Sequence, residues 1–370
     1  MPGRTRCSRP LSESTPVSGA SVLVTLIVTV KNEESCIGRL LDSIRAQTRW
    51  PDEIIVVDGG STDRTLELLA TGCDDLPLTV ISRPGASISE GRNITLSRAS
   101  GEIVAVTDAG VWLDPAWLEE IVAPFERDDR ETVDVVSGFF GADPASFFEL
   151  VLGGTTLPDE DEIDPERFLP SSRSLAFRRS WFEAGIQYPE WLDYCEDLIF
   201  DLRLQRAGAR FRFQPAAFVG LRPRRTPAEY FRQYYRYARG DGKSGLFLRR
   251  HLIRYLTYLV LLPAILLLRD RRLYLLTAVG SMAYMRRPWT RLWRRRTGLR
   301  RGQLIGAFAL APVLRLIGDL AKMAGYPVGL VWRHRKYGLR KGWPSIPERR
   351  NSIGRTSEVA ERVPEEVGRP

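Results

Sequence analysis

Short apolar runs rich in β-branched residues alternate with amphipathic stretches from residue 22 onward. Such alternation is typical of βα units whose strands form a largely parallel sheet. The runs that we interpret as strands are 22–29, 53–58, 78–82 and 102–107. Between the first two, apolar residues recur at the spacing of one helical face from Ile37 to Ile44. The sequence therefore predicts an α/β fold, with helices flanking a mostly parallel sheet.

Two of the predicted strands end in an aspartate. The run EIIVVD ends on Asp58, and EIVAVT is followed directly by Asp108. In open α/β sheets, ligands bind outside the carboxyl ends of the strands. A carboxylate there can accept hydrogen bonds from the ring N–H groups and ribose hydroxyls of a nucleoside. The pattern therefore indicates a nucleotide site, although Asp also favours turns and both residues could serve only as turn formers.

A third acidic position lies at a predicted helix start. The segment CEDLIFDLRLQRAG has apolar residues on one helical face, and Gly208 stands where a C-terminal cap is expected. Glu196 and Asp197 then lie in the first turn, where the helix dipole favours an ionised carboxylate. The alternative interpretation is a simple acidic helix start.

Basic residues are distributed unevenly along the chain. The 370 residues contain 54 Lys and Arg against 45 Asp and Glu, a net charge of +9. Residues 269–301 hold eleven Arg and one Asp, a local charge of +10, so the rest of the chain sums to −1. Proteins that recognise nucleic acid usually carry their basic residues on the recognising domain. The pattern argues against a nucleic-acid partner and favours a surface that contacts membrane lipids.

Cysteine usage indicates a reducing compartment. Cys7, Cys36, Cys73 and Cys195 form no C-x-x-C pair, and with two histidines the chain shows no zinc-ligand spacing. We therefore expect the catalytic part to face the cytoplasm.

Three uncharged runs lie in the C-terminal third, at 255–268, 273–285 and 302–314. A membrane-spanning helix needs roughly 20 apolar residues, so none of these runs is long enough alone. Flanking Arg side chains could lengthen the first, and the third could continue past its charges to Trp332. The basic stretch with Trp289 and Trp293 would then lie at the cytoplasmic headgroups. A solvated loop or an RNA-binding stripe is the alternative for that stretch, and full spanning stays open.

These patterns divide the chain into five segments. We expect a disordered leader at 1–20, a catalytic domain at 21–225, an amphipathic linker at 226–250, a membrane-associated helical region at 251–335 and a disordered tail at 336–370. The leader has no apolar stretch of its own and does not resemble a signal peptide.

Five motifs in register resemble an inverting family 2 glycosyltransferase with the GT-A fold and C-terminal membrane-associated segments. They are VTLIVTVKNEES, EIIVVDGGSTDRT, GRNITLSRASGEIVAVTDAG, CEDLIFDLRLQRAG and QYYRY, and they cover about residues 22–243. The resemblance implies transfer of a sugar from a nucleotide-sugar donor to a glycan or lipid-linked acceptor, as in the assembly of cell-envelope polysaccharide.

On the donor side, the resemblance implies that Thr29, Asn32 and Glu33 border the nucleotide and that Asp58 contacts its base or ribose. It also implies that Arg92 approaches the nucleotide. The alternative is that Arg92 is a plain surface arginine.

Asp108 matches the first carboxylate of the family's D-x-D motif, which links nucleotide, diphosphate and a divalent metal. The sequence reads Asp108-Ala109-Gly110, so the second carboxylate is absent. Mg²⁺ or Mn²⁺ is normally held by one or two carboxylates together with substrate phosphates and water. The resemblance therefore implies Mg²⁺ or Mn²⁺ at Asp108, held by a single protein carboxylate.

On the acceptor side, the resemblance makes Asp197 the general base, with Glu196 beside it. A hydroxyl that attacks an anomeric carbon is essentially never ionised at neutral pH and needs a carboxylate within hydrogen-bond reach. Ser171, Ser172 and Arg173 fall where similar enzymes have an acceptor loop, or they form a structural loop.

The stretch QYYRY resembles the Q-x-x-R-W motif of membrane-embedded polysaccharide synthases, with Tyr in place of Trp. The resemblance implies that Gln233, Arg236 and Tyr237 contact the diphosphate or the acceptor sugar. A guanidinium suits a diphosphate because its planar donors pair with two phosphate oxygens. An amphipathic helix on the membrane surface is the alternative.

Two other functions compete with sugar transfer. A catalytically silent nucleotide-sugar-binding or scaffolding subunit would explain the incomplete metal motif, but the joint presence of Asp58, Asp108 and Glu196-Asp197 argues against it. A nucleotidyltransferase is disfavoured because the chain has no Gly-rich phosphate loop with a basic residue.

Overall fold

The computed structural model describes residues 22–72, 75–127 and 133–338. The predicted leader and nearly all of the predicted tail lie outside these residues. The chain separates into an N-terminal unit that ends at Pro223 and a C-terminal unit that begins at Arg224. The segment 226–250, predicted as a linker, belongs to the C-terminal unit and is mostly helical.

The N-terminal unit alternates strands and helices over its first half and is more irregular in its second. Its elements are β1 (Val24–Val30), α1 (Ile37–Arg45), β2 (Glu53–Asp58), α2 (Thr65–Thr71), β3 (Leu78–Ser82), α3 (Ile88–Arg98), β4 (Ile103–Asp108), β5 (Val111–Leu113), α4 (Trp117–Glu126), β6 (Val135–Ala142), α5 (Phe147–Thr156), β7 (Leu175–Arg178), α6 (Ser180–Glu183), α7 (Glu196–Arg206) and β8 (Phe211–Leu221).

These strands form one sheet in the order β3-β2-β1-β4-β7-β6-β8-β5. The strands β3, β2, β1 and β4 run parallel, as expected for successive βα units. The strand β7 is antiparallel to both of its neighbours, and β5 is antiparallel to β8. The predicted α/β class with a mostly parallel sheet is confirmed. Apolar side chains from both faces of the sheet form two buried clusters against the helices.

Helix α3 approaches the sheet closely through a glycine. A Cβ on Gly91 would lie 2.8 Å from Cγ2 of Thr29, so a larger residue would push α3 away from β1. Interiors are packed to crystal-like density and accommodate such overlap poorly. The next residue, Arg92, is therefore held deep in the unit, with only 3% of its side chain exposed.

The C-terminal unit is helical. It consists of α8 (Pro227–Ser244), α9 (Leu248–Tyr255), a π-helical segment (Leu256–Leu261), α10 (Leu262–Leu268), α11 (Arg271–Arg294) and α12 (Arg301–Tyr337). Two of its helical segments, Leu248–Leu268 and Arg301–Tyr337, are long and apolar enough to cross a membrane. Each of these segments contains one of the predicted apolar runs and extends beyond it through charged residues. The uncharged runs are therefore shorter than the helices that contain them.

Glycines allow α8 and α12 to pack with their backbones in contact. A Cβ on Gly325 would overlap the carbonyl oxygen of Tyr235, and a Cβ on Gly329 would overlap that of Arg239. On the α8 side, a Cβ on Gly242 would overlap the carbonyl oxygen of Tyr326. The helix that carries the QYYRY motif is thereby fixed along α12.

We expect Gly325→Ala to lower the thermal unfolding temperature of the full-length protein in detergent. The added methyl must separate α8 from α12, and overpacking of this kind typically costs about 1–3 kcal/mol. Gly280→Ala on α11 is the matched control, because a Cβ there meets no atom within 4 Å. Equal unfolding temperatures for the two variants would contradict the close helix contact.

Candidate active site

The ends of three parallel strands meet at one edge of the sheet. In the strand register, Thr29 of β1 lies beside Asp108 of β4, and Val30 lies beside Asp58 of β2. The hydroxyl oxygen of Thr29 is buried and has no hydrogen-bond partner among the described residues. A buried unpaired hydroxyl is uncommon and is satisfied when a polar ligand binds next to it.

Asp58 and Asn32 shape the loops at this edge. The buried carboxylate of Asp58 accepts hydrogen bonds from the backbone N–H groups of Gly60 and Ser61. Asn32 has a left-handed φ of 57°, and its side-chain oxygen accepts the N–H of Thr62. The turn-forming role that the sequence left open for Asp58 is therefore present in the structure. Nucleotide contacts by Asp58, Asn32 and the neighbouring Glu33 stay predictions.

Arg92 lies at the centre of the site. Its Nη2 donates to Oδ1 of Asp108 over 2.9 Å, and its Nη1 donates to Oε1 of Glu196 over 2.9 Å. The guanidinium also lies over the ring of Tyr188, 5.1 Å from the centroid. Burial lowers the pKa of Arg92, but the neighbouring Asp108, Tyr188 and Glu196 outweigh burial and hold its pKa above the ordinary value. The surface-arginine alternative is wrong, because this side chain is buried and paired twice.

Helix α7 begins with the two predicted catalytic carboxylates. The residue before it, Cys195, has a left-handed φ of 67°, a conformation that costs a non-glycine residue about 1–3 kcal/mol. Oδ1 of Asp197 accepts the N–H of Leu198 at 2.8 Å, and Glu196 is buried against Arg92. Burial and the nearby Asp197 raise the pKa of Glu196 to about 7, against the opposing effect of Arg92.

The predicted acceptor loop lies next to this cluster. Nε of Arg173 is 3.7 Å from Oδ2 of Asp108, and the backbone carbonyl of Arg173 accepts the hydroxyl of Thr107 at 2.9 Å. The hydroxyl of Ser172 lies 3.1 Å from that of Tyr188. Arg173 therefore reaches Asp108 itself, whereas Ser172 reaches Arg92 through Tyr188.

Tyr188 was missed by the sequence reasoning. It is 1% exposed, stacks on Phe200 with centroids 4.1 Å apart, and supports Arg92 with its ring face. Burial raises the pKa of its hydroxyl, which stays neutral. No sequence motif includes this position. A buried tyrosine ordinarily needs only a hydrogen-bond partner, so the sequence does not distinguish Tyr188 from an ordinary core residue.

The donor set limits how a divalent metal could bind. Among the residues that the structure describes, no three His, Cys, Asp or Glu side chains converge on a metal position. Oδ1 of Asp108 accepts from Arg92, whereas Oδ2 is 3.7 Å from Arg173, beyond hydrogen-bond distance. These residues fit a cation that Asp108 shares with a bound diphosphate, and they do not fit one that the protein holds alone.

The residues of the QYYRY motif lie on α8, in the C-terminal unit. Nε2 of Gln233 donates to the hydroxyl of Tyr237 at 2.8 Å, one helical turn away. The ring of Tyr234 contacts Tyr230 with centroids 4.6 Å apart. The roles predicted for Gln233, Arg236 and Tyr237 stay predictions.

The chain is similar in sequence to known glycosyltransferases. Residues 25–185 match the family model described as Glycosyl transferase family 2. The chain is 24% identical over 227 residues to the O-antigen chain rhamnosyltransferase RfbN of Salmonella typhimurium, a match that covers 57% of this chain and 70% of the relative. It is 27% identical over 205 residues to the O-antigen chain rhamnosyltransferase WbaN of Salmonella anatum, covering 52% and 64% of the two chains.

Among solved structures, the chain is similar to a mannosyltransferase, PcManGT from Pyrobaculum calidifontis, in complex with GDP-Man and Mn²⁺. The TM-score is 0.50 at 20% sequence identity, and the match covers 88% of this chain and 92% of the other. At this level of sequence identity, the similarity shows a shared fold and no more. The fold predicted from the sequence motifs is confirmed.

Proposed function

We propose that this nucleotide-sugar-dependent glycosyltransferase with the GT-A fold, whose residues 25–185 match family 2, transfers a sugar with inversion. The acceptor is a glycan or a lipid-linked glycan of the cell envelope, and Asp197 is the general base. Two relatives from Salmonella are O-antigen chain rhamnosyltransferases, which supports this class of acceptor.

One observation carries the proposal. Arg92 joins Asp108, the predicted donor carboxylate, to Glu196, the neighbour of the predicted base, through two hydrogen bonds of 2.9 Å. An inverting displacement needs the leaving diphosphate and the base in one site, on opposite sides of the anomeric carbon. A single buried guanidinium that fixes both segments supplies such preorganisation.

The proposed reaction is a single in-line displacement. The acceptor hydroxyl oxygen attacks the anomeric carbon while its proton passes to the carboxylate of Asp197. The bond between that carbon and the diphosphate oxygen breaks, and its electron pair leaves with the nucleoside diphosphate. Asp108 binds the donor, and Arg173 lies beside it to neutralise developing charge on the diphosphate.

Charge balance supports a divalent cation in the bound state. Two arginines, Arg92 and Arg173, face three carboxylates, Asp108, Glu196 and Asp197, which leaves a net charge of −1 when all are ionised. A donor diphosphate adds two more negative charges. We propose that the site takes Mg²⁺ or Mn²⁺ together with the donor: Asp108 would hold the cation, which would offset the charge of the diphosphate.

We further propose that the C-terminal unit contacts the membrane and that the catalytic unit faces the cytoplasm. Among the described residues, all exposed large hydrophobic side chains except Leu23, Trp50 and Leu66 belong to the C-terminal unit. The most apolar part of Leu248–Leu268 is only 11% buried. The core helix of a soluble protein would be buried by other parts of the protein. The exposed apolar surface of this helix is therefore suited to contact with a lipid bilayer.

Donor hydrolysis tests the proposed activity. The full-length protein, purified in detergent, is incubated with UDP-, GDP- and dTDP-sugars in the presence of Mn²⁺. We expect release of one nucleoside diphosphate above the background of Asp108→Asn. Absence of release from every donor, with donor binding intact, would instead support the silent binding subunit.

Metal binding should depend on the nucleotide. In electron paramagnetic resonance titrations, we expect the protein alone to leave the signal of free Mn²⁺ unchanged, because no three His, Cys, Asp or Glu side chains come together among the described residues. Protein and the matching nucleoside diphosphate together should reduce the signal more than the nucleotide does. Asp108→Asn should remove the difference, and tight Mn²⁺ binding without nucleotide would contradict the shared site.

Donor affinity should fall as the pH rises through about 7. The pKa of Glu196 is raised to about 7, so its ionisation in this range adds a negative charge near Asp108 and the diphosphate. The diphosphate of a nucleotide sugar has no proton that titrates there. We expect about a two- to fivefold increase in the donor Kd between about pH 6 and pH 8, and a flat profile in Glu196→Gln. Equal slopes for both proteins would contradict this role of Glu196.

A further inference from the structure

Three charged residues lie on one face of α12, inside its otherwise apolar sequence. Arg315, Asp319 and Lys322 are spaced by four and three residues, which places them on neighbouring turns of the same face. Gly318 lies on that face too, and a Cβ there would overlap the hydroxyl of Tyr230 on α8. Ionisable groups among apolar helices are costly and ordinarily have a partner or a function.

Asp319 is fully paired. Its Oδ1 accepts from Nε of Arg254 at 2.8 Å, and its Oδ2 accepts the hydroxyls of Tyr258 at 2.9 Å and Tyr284 at 3.0 Å. The carboxylate is 6% exposed. Its single negative charge is therefore paired directly with Arg254, and it forms no ion pair with Arg315 or Lys322 on its own helix.

Arg315 and Lys322 contact aromatic rings instead. The guanidinium of Arg315 lies over the ring of Tyr284 at 5.2 Å, and its Nε is buried without a hydrogen-bond partner. Nζ of Lys322 lies over the ring of Tyr234, the second residue of the QYYRY motif, at 4.9 Å. Neither forms an ion pair with any residue that the structure describes, and the other nearby carboxylate, Asp241, lies 3.4 Å from His251.

The count of charges in this group is unbalanced. Arg254, Arg315 and Lys322 contribute three positive charges, whereas Asp319 and Asp241 contribute two negative ones. Cation–π contacts with Tyr offset only part of the cost of removing a cation from water. An anion held between Arg315 and Lys322 would satisfy both cations and the adjacent Tyr230 hydroxyl.

We infer that Arg315 and Lys322 bind the phosphate group of a lipid-linked acceptor. This inference rests on the proposed function and deepens it by giving the acceptor a phosphorylated lipid carrier. A polyprenyl phosphate matches two features of the unit: exposed apolar helices for the polyprenyl chain, and two partly buried cations without an ion-pair partner among the described residues for the phosphate. Guanidinium and ammonium groups are the side chains that bind phosphate best.

Binding to the full-length protein in phosphatidylcholine nanodiscs tests the site. The probe is a polyprenyl phosphate, and the matching polyprenyl alcohol is the phosphate-free control. We expect saturable binding of the phosphate only, and at least a tenfold weaker affinity in the double variant Arg315→Gln/Lys322→Gln. Arg335→Gln, an exposed cation near the end of the same helix, should bind like the wild type.

Further arms distinguish the sources of phosphate. Inorganic phosphate and phosphatidylglycerol should compete weakly, and competition by phosphatidylglycerol equal to that of the polyprenyl phosphate would overturn the acceptor site. Unchanged binding in a folded double variant would overturn it as well. Should the double variant unfold, the single variants Arg315→Lys and Lys322→Arg keep the charge and should retain binding. The assay needs no donor, so Asp197→Asn should bind the lipid normally even where sugar transfer fails.

Discussion

Asp197→Asn is expected to lower the turnover number for sugar transfer by about 10²–10⁴-fold, because an amide cannot accept the proton of the attacking hydroxyl. The change is isosteric, and the amide oxygen can still accept the N–H of Leu198 that now binds Oδ1 at 2.8 Å. Donor affinity, measured by isothermal titration calorimetry, should therefore stay within about twofold of the wild type.

Asp193→Asn is the matched control for this variant. It makes the same chemical change four residues earlier, at an exposed position just before α7. The control should keep its turnover. A turnover within a few-fold of wild type in Asp197→Asn would assign the base to another group, and a parallel loss of donor binding would indicate a role on the donor side.

Arg92→Met is expected to loosen the whole site. The variant removes both 2.9 Å hydrogen bonds and leaves the carboxylates of Glu196 and Asp108 without their shared cation. Removing one partner of a buried charge pair typically costs about 3–5 kcal/mol. We expect this loss as faster amide hydrogen exchange in peptides from β4 and α7 of the full-length protein.

Two comparisons separate the ion pairs from general packing. Arg98→Met, on the exposed side of the same helix, should leave exchange unchanged. The double variant Arg92→Met/Glu196→Gln should lose less protection than the sum of the single variants, since Gln leaves no buried charge behind. Additive losses would mean that the buried carboxylate of Glu196 is not coupled to Arg92.

The first half of the sheet could be predicted because each βα unit is local. Strand β2 begins and ends where the run EIIVVD does, and β3 coincides with LTVIS. The second half could not, because β7 is inserted between β4 and β6 by long-range pairing that no local periodicity encodes. The fold, read from five motifs, is confirmed, and residues 25–185 match the family 2 model.

The candidate site also has a part that could be predicted from the sequence and a part that could not. Asp108 and the pair Glu196-Asp197 could be found because they stand at a strand end and a helix start, positions that the sequence reveals. The bridge between them could not, because Arg92 and Glu196 are 104 residues apart and meet only after α3 and α7 pack. The sequence does not decide between a buried and a surface position for Arg92, and its burial depends on Gly91 lying against Thr29.

In the C-terminal unit, the charge pattern of the sequence does not predict the length of the last helix, which depends on packing. The three apolar runs were visible, but the length of α12 depends on accommodating Arg315, Asp319 and Lys322 within one helix of 37 residues. Partners for Asp319 come from residues that precede it by 35 to 65 positions. Such compensation is a property of the folded unit, so the sequence alone left the length of the helix open.

The anomeric configuration of the product tests the central claim most directly. Once donor hydrolysis has identified the nucleotide sugar, the transferred sugar is examined by proton nuclear magnetic resonance, in which the coupling between H1 and H2 or the one-bond C1–H1 coupling reports the anomer. An inverting displacement with Asp197 as base predicts the anomer opposite to that of the donor. A product that keeps the donor's configuration would contradict the proposed mechanism.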